Sequence, residues 1–166
     1  MSKDKKRVMK LLLPTILCLL TTVSCRQSES LNESEKTKII NEVRQTLDSY
    51  YNDIKKSGLT AEFKYLDNSP EFFWVPPGFS CSISYDSVAA ILKQNASIYT
   101  SIVNAFDTLR IIPLSRELAT YTGRLRSSIT DTSGKVMAFS LVETAVLIKR
   151  EDGWKLLNGQ TSNVNQ

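Results

Sequence analysis

The sequence contains no histidine, and only three of its 166 residues are cysteine. Without an imidazole, the chain can form no cysteine–histidine nucleophile pair, and it lacks the commonest protein ligand for transition metals. Its acidic residues show no spacing that is typical of a metal site either. The sequence therefore predicts neither a bound metal nor a cofactor.

The three cysteines give no support for a disulfide framework. Cys18 lies in the N-terminal apolar segment, Cys25 follows that segment, and Cys81 is alone in the remainder of the chain. No internal disulfide bond can therefore form in the domain. We expect Cys81 to be a small buried apolar side chain.

An excess of positive charge is missing from most of the chain, although the whole sequence carries +4. Of the 21 basic and 17 acidic residues, five basic residues and one acidic residue precede Cys25, which leaves sixteen of each sign from there onward. Nucleic-acid binding requires a basic face on the folded domain itself. We therefore expect no nucleic-acid partner.

The N-terminal segment has no apolar run long enough to span a membrane. Residues 1–10 are basic, residues 11–20 form an apolar run of about ten, and small residues then lead to Cys25. A membrane-spanning helix needs about 20 apolar residues, so the pattern predicts a cleavable secretory signal over residues 1–24. The alternatives are a permanent N-terminal anchor and ordinary cleavage near Ser24.

The residues Val23-Ser24-Cys25 resemble a bacterial lipobox, in which small residues precede a cysteine that becomes lipidated. Thr22 stands where leucine is usual, a position that is relaxed in lipoproteins of the Bacteroidota. The resemblance implies a cell-envelope lipoprotein held to a membrane by lipid on Cys25. Arg26 is not the aspartate of an inner-membrane retention signal, so we expect delivery to the outer membrane.

The segment 25–34 is polar, and Leu31 is its only apolar residue after Cys25. A segment of this composition cannot bury enough apolar surface to fold by itself. It therefore predicts a flexible tether, and we expect the folded domain over residues 35–166.

The first half of the domain has the apolar spacing of helices. Apolar residues recur at intervals of three and four from Ile39 to Ile54, which predicts one amphipathic helix, capped by Asn32 with Glu35 or by Ser34. A short helix is expected over residues 60–66. A third begins near Asp86 and has Tyr99 on its apolar face.

The second half of the domain alternates with a period of two, which is typical of strands. Turn sequences at residues 131–134 and 151–153 join long antiparallel partners. The predicted strands are 71–75, 109–114, 118–129, 135–149 and 154–162. Helices followed by a β-meander predict an α+β fold, with about three N-terminal helices packed on one face of a curved antiparallel sheet.

The order of these elements, together with particular residues, resembles the NTF2-like superfamily of the SnoaL-like or DUF4440 type. The residues that carry the resemblance are Tyr50-Tyr51, Phe72-Phe73-Trp74-Val75 before Pro77-Gly78, the hairpin 143–155 and the ending Gly159-Gln160-Thr161-Ser162. The resemblance implies a cone in which a curved sheet and the helices enclose a pocket. Members include isomerases, cyclases, dehydratases and non-enzymatic binders, so the fold does not decide the function.

The resemblance can be tested against the catalytic residues of ketosteroid-isomerase-like members. These use a tyrosine on the first helix, an aspartate base before a Pro-x-Gly turn and a second acid on the penultimate strand. Tyr51 matches the tyrosine, but Val75 and Ala145 stand at the base and second acid positions. Scytalone-dehydratase-like chemistry relies on histidine, which is absent. The sequence favours a domain without catalysis, and Asp67 or Glu71 are the candidates if it is an isomerase, dehydratase or hydrolase-like enzyme.

Aromatic and polar side chains predict the lining of a small-molecule pocket. On the last strand, Asn158 and Gln160 share a face with Trp154, since strand side chains alternate. The predicted lining residues are Tyr51, Trp74, Tyr121, Asn158 and Gln160. Alternatively, the aromatic residues only fill the core, and Asn158 and Gln160 bond to the sheet edge.

The sequence thus predicts a lipid-anchored domain that binds a small or peptidic ligand or associates with itself as a homodimer. A pocket enzyme is the first alternative. The second is a purely structural dimer that pairs the exposed faces of two sheets. The outward-facing residues Thr120, Thr122, Arg124 and Arg126 suit a polar interface or solvent.

Overall fold

The computed structural model describes residues 30–164. The predicted signal peptide (residues 1–24), Cys25 and the first part of the predicted tether (25–34) lie outside these residues. The elements are α1 (Glu33–Ser57), a 3-10 helix (Leu59–Lys64), β1 (Phe73–Val75), α2 (Tyr85–Ala96), β2 (Tyr99–Pro113), β3 (Leu118–Asp131), β4 (Val136–Arg150) and β5 (Gly153–Asn163). The predicted α+β class, with three helices before a β-meander, is confirmed.

A capping box fixes the start of α1. The Asn32 side chain accepts a hydrogen bond from the Glu35 backbone N–H at 2.9 Å, and the Glu35 carboxylate accepts one from the Asn32 N–H at 3.0 Å. This reciprocal pairing satisfies two backbone donors that a helix start otherwise leaves unpaired. Glu33 and Ser34 are consequently helical, so the prediction that the tether continues to residue 34 is corrected.

The five strands lie in the order β1-β5-β4-β3-β2. Strands β2 to β5 form the predicted antiparallel meander, whereas β1 runs parallel to β5, so the sheet is mixed rather than purely antiparallel. β2 begins at Tyr99 instead of residue 109, and Tyr99 therefore does not belong to α2. Register shifts after Tyr99 and after Phe106 interrupt the alternation, which is why the pattern predicted only the end of this strand.

The core lies between α1 and the inner face of the sheet. Val43 and Leu47 of α1 are completely buried, in one cluster with Leu125 of β3 and Leu147 of β4. Each such side chain stabilises the fold by about 1.5–3 kcal/mol. The opposite side of α1 is polar. None of the helices within residues 30–164 is long and apolar enough to cross a membrane.

A β-bulge changes the phase of β5. Val146 of β4 pairs with Asn158, but its neighbour Leu147 pairs with Leu156, so Leu157 is an extra residue in β5. Before Leu157 the even-numbered residues Trp154 and Leu156 face inward, whereas after it the odd-numbered residues do. Thr161 is therefore buried, at 8% exposure.

Cys81 is exposed, so the prediction that it is a buried apolar side chain is wrong. It lies in the loop between β1 and α2, where residues 77–82 are all exposed. A loop offers no inward face of the kind that a strand or helix provides, which explains the exposure.

The close contact of β1 with β5 at Gly159 gives a test of the packing. A Cβ atom at Gly159 would lie 2.6 Å from Cβ of Ala145 and 2.8 Å from the ring of Trp74. The variant Gly159→Ala should therefore lower the free energy of unfolding by about 1–3 kcal/mol, measured by urea denaturation. Ser162→Ala, at an exposed position of the same strand, is the control and should change it by less than about 0.5 kcal/mol. Equal stability of the two variants would contradict the tight packing.

Candidate functional site

A cavity of about 240 Å³ lies between the helices and the inner face of the sheet. All of the helices and strands described above contribute to its wall. An engineered cavity of roughly 150 Å³ holds benzene, so this one has room for a single substituted ring. The wall is mainly apolar and includes Leu59, Leu66, Phe72, Trp74, Val88, Leu92, Ile102, Leu125, Ile129, Leu141 and Leu156.

Glu143 of β4 is the polar centre of the wall. Its Oε1 accepts hydrogen bonds from the hydroxyl groups of Tyr51 at 2.7 Å and Tyr121 at 2.5 Å, and its Oε2 accepts one from the Thr161 hydroxyl at 2.9 Å. Only 7% of the residue is exposed. Burial raises the pKa of Glu143, and the three hydrogen bonds limit that rise.

The network around Glu143 extends to β1. The indole N–H of Trp74 donates to the Thr161 hydroxyl oxygen at 3.2 Å, and that hydroxyl donates to Glu143. Burial, followed by the neighbouring carboxylate, raises the pKa of Tyr51 and of Tyr121 well above the usual value. Both phenols therefore keep their protons and remain donors. Through these hydrogen bonds the network joins α1 to the strands β1, β3, β4 and β5.

Glu62 of the 3-10 helix brings a second carboxyl group to the wall. Its Oε2 accepts a hydrogen bond from the Tyr50 hydroxyl at 2.7 Å. Burial raises the pKa of Glu62 to about 7, the hydrogen bond from Tyr50 opposes that rise, and the charge of Glu143 adds to it. Glu62 therefore gains or loses its charge near neutral pH.

The structure places two of the predicted pocket residues, Tyr51 and Trp74, on the cavity wall. Tyr121 is 1% exposed and reaches the site through its hydrogen bond to Glu143. Tyr51 and Trp74 thus form part of the cavity wall, and Tyr121 supports that wall from behind through Glu143.

Asn158 and Gln160, which the alternation of β5 predicted to line the pocket, are not on its wall. The bulge at Leu157 reverses the phase of the strand, so Gln160 is exposed and its neighbour Thr161 faces inward. The expectation for Asn158 and Gln160 is corrected for this reason.

Asp67 and Glu71, the catalytic candidates from the sequence, do not line the cavity. Asp67 is buried, but its two oxygens accept hydrogen bonds from the Arg150 guanidinium at 2.8 and 2.9 Å, which hold its pKa below the usual value. Glu71 is exposed. Any proton transfer in the cavity would therefore depend on Glu143 or Glu62.

The sequence carries a signal for Glu143 in the alternation of β4. Leu141, Glu143, Ala145 and Leu147 alternate along β4, and a single carboxylate in an otherwise apolar inward series is typical of a buried polar site. Glu62 offered no such signal, because a short 3-10 helix has no period that separates an inner from an outer face.

No potential metal-binding group of three or more cysteine, aspartate or glutamate side chains occurs in residues 30–164. The cavity wall contains neither lysine nor arginine among these residues. The site therefore combines two carboxyl groups, several phenols, the polar side chains of Asn95, Asn104 and Ser127, and a mainly apolar wall, without a cation of its own among the described residues.

Comparison with known proteins supports the fold. The chain is similar to an NTF2-like superfamily protein from Salmonella enterica, with a TM-score of 0.67, 15% identity, and coverage of 78% of this chain and 94% of that one. It is similar to a provisionally named dehydratase of the NTF2-like family from Streptomyces avermitilis, with a TM-score of 0.67, 17% identity, and coverage of 78% and 99%. A hexachlorocyclohexane dehydrochlorinase gives a TM-score of 0.64, 12% identity, and coverage of 81% and 90%.

No protein-family model and no curated protein sequence matches the chain. The structural similarities confirm the predicted NTF2-like fold. At such low identities they establish the fold alone, because this fold supports unrelated functions.

The network predicts the cost of losing one donor to Glu143. Tyr121→Phe leaves a buried carboxylate with one hydrogen bond fewer and should lower the free energy of unfolding by about 1–3 kcal/mol, measured by urea denaturation. Tyr99 also lines the cavity, and its hydroxyl forms no hydrogen bond with the described residues. Tyr99→Phe should therefore change stability by less than about 0.5 kcal/mol, and an equal loss in both variants would contradict the proposed network.

The raised pKa of Glu62 predicts a pH dependence of stability. Between its ordinary pKa of 4.5 and about 7, the folded state binds more protons at Glu62 than the unfolded state does. The stabilising contribution is therefore complete below pH 4.5 and is lost as the pH rises to about 7. The stability of Glu62→Gln relative to the wild type should increase from pH 5 to pH 8 in urea denaturation. Glu151→Gln, at an exposed turn, should show a constant difference, and the same constancy in Glu62→Gln would contradict the raised pKa.

Proposed function

We propose that this protein is a lipoprotein of the bacterial cell envelope whose NTF2-like domain binds a small ligand without catalysis. The observation that supports ligand binding is the cavity, in which an apolar wall surrounds a small number of oriented polar groups. That combination is the usual chemistry of a small-molecule site. The volume of about 240 Å³ favours a molecule of one ring rather than a peptide.

The arrangement of protons at the site favours binding over catalysis. The hydroxyl protons of Tyr51 and Tyr121 both point to Glu143, so neither is free to stabilise an oxyanion in the cavity. Val75 and Ala145 supply no acid or base at the positions that ketosteroid-isomerase-like members use. The Tyr51 hydroxyl is thus part of the support of Glu143.

The proposed anchor rests on the sequence around Cys25. Two or three acyl chains bury enough CH₂ groups, at about 0.8 kcal/mol each, to hold a protein stably on a bilayer. The polar tether would hold the domain near the membrane surface, and Arg26, which stands in place of the aspartate of an inner-membrane retention signal, favours the outer membrane.

The anchor predicts the behaviour of a single variant. Cys25→Ser should abolish incorporation of labelled palmitate and move the protein from the membrane fraction to the soluble fraction, as measured by fractionation and autoradiography. Cys81→Ser is the matched control and should leave both properties unchanged. Retention of the label and of membrane association in Cys25→Ser would contradict the lipoprotein proposal.

Ligand binding predicts a mass shift in the native protein. The Cys25→Ser chain, purified gently from its own organism, should show a co-purifying molecule of one-ring size in native mass spectrometry. Leu92→Trp, which fills the cavity from α2, should remove that mass while circular dichroism confirms the fold. An empty cavity in both forms would count against the proposal.

Proton transfer is the second candidate function, because a carboxyl group with a pKa near 7 is suited to act as a general base at neutral pH. One structural neighbour is a dehydrochlorinase, which is an enzyme with this fold. A bound molecule that is released chemically unchanged supports binding, and one that is converted only when Glu62 is present supports catalysis.

Self-association has support on the other side of the sheet. Val103, Ile112 and Val142 are exposed there at 37–42%, among the threonine and arginine side chains of β3. The same native mass spectrum measures this candidate directly, since a homodimer doubles the mass of the protein.

A further inference from the structure

Hydrogen-bond donors at the polar end of the cavity are directed away from a ligand. The hydroxyl groups of Tyr51 and Tyr121 donate to Glu143, and the Tyr50 hydroxyl donates to Glu62. The Trp74 indole N–H is likewise used, by the Thr161 hydroxyl. These groups therefore have little to donate to a molecule in the cavity.

Acceptor positions, in contrast, remain available on both carboxyl groups. An ionised carboxylate offers about four lone-pair positions. Glu143 uses three of them, and Glu62 uses one, since its Oε1 accepts no hydrogen bond from the described residues. A ligand that binds to these two carboxyl groups must therefore bring donors of its own.

The cavity wall also brings no positive charge to its carboxyl groups among the described residues. Asp67, another buried carboxylate of this domain, is paired with Arg150 through two hydrogen bonds. Glu62 and Glu143 have no lysine or arginine beside them on the cavity wall within the described residues. Carboxylates shielded from water are normally paired with a cation, so a bound cation would supply the pairing that the wall does not.

The aromatic part of the wall suits an organic cation. Rings of Tyr50, Tyr51, Trp74 and Tyr99 line the same cavity as the two carboxyl groups. The face of an aromatic ring attracts an ammonium ion, and this attraction is stronger where water is excluded. The remaining aliphatic wall would bury the hydrocarbon part of such a molecule.

We propose that the cavity takes an organic ammonium ion, a primary or secondary amine on a single ring or a short hydrocarbon, with its N–H groups on Glu62 and Glu143. The proposal rests on ligand binding in this cavity. It adds the charge and donor chemistry of the ligand.

A charge-matched series of one-ring probes tests the proposal. Benzylammonium, benzyl alcohol and benzoate are titrated by calorimetry into the full chain carrying Cys25→Ser. The titrations are made at pH 8, because at this pH the amine is protonated and Glu62 is ionised. Benzylammonium should bind at least about tenfold more tightly than benzyl alcohol, and benzoate should not bind. Equal or tighter binding of benzyl alcohol would overturn the ammonium assignment and leave the binding cavity standing.

Two variants locate the preference. Glu62→Gln should reduce benzylammonium affinity by about tenfold and leave benzyl alcohol unchanged, whereas Glu151→Gln should alter neither. Loss of the ammonium preference in Glu151→Gln as well, or in neither variant, would place the cation elsewhere and refute the proposal. If none of the three probes shifts the NMR signal of the Trp74 indole in the cavity wall, both the ammonium proposal and the proposed ligand binding are contradicted.

Discussion

The carboxylate of Glu143 holds together the parts of this domain that surround the cavity. It receives hydrogen bonds from α1, β3 and β5, through Tyr51, Tyr121 and Thr161. A carboxylate buried without such donors would be strongly unfavourable. The three donors therefore have to stay in place, and this requirement fixes the helix against the sheet and orients the aromatic side chains of the wall.

The carboxyl groups of Asp67, Glu143 and Glu62, which are buried or partly buried, differ in their partners. Asp67 forms an ion pair with Arg150 through two hydrogen bonds. This pair neutralises the carboxylate and joins the loop before β1 to the end of β4. Glu143 and Glu62 have hydroxyl donors alone and face a space large enough for a molecule. The first arrangement is structural, whereas the second leaves charge and acceptor capacity for a ligand.

Several features of the site follow from departures from regular geometry. The bulge at Leu157 exchanges the faces of β5, which places Thr161 beside Glu143 and sends Gln160 to solvent. Gly159 allows Trp74 to approach β5 closely enough to donate to Thr161. Neither an extra residue in a strand nor a close approach between strands is visible in a pattern of alternation, because both depend on the pairing partner.

The sequence by itself determined the helices and most of the meander, since these depend on local periodicity and turn residues, and its resemblance to the NTF2-like superfamily implied the fold. It also identified Tyr51 and Trp74 as residues of the site. Only the tertiary structure decided that Glu143 and Glu62 share the cavity, because they are brought together from a strand and a helix far apart in the chain. The burial that sets their charge exists only once that packing has formed.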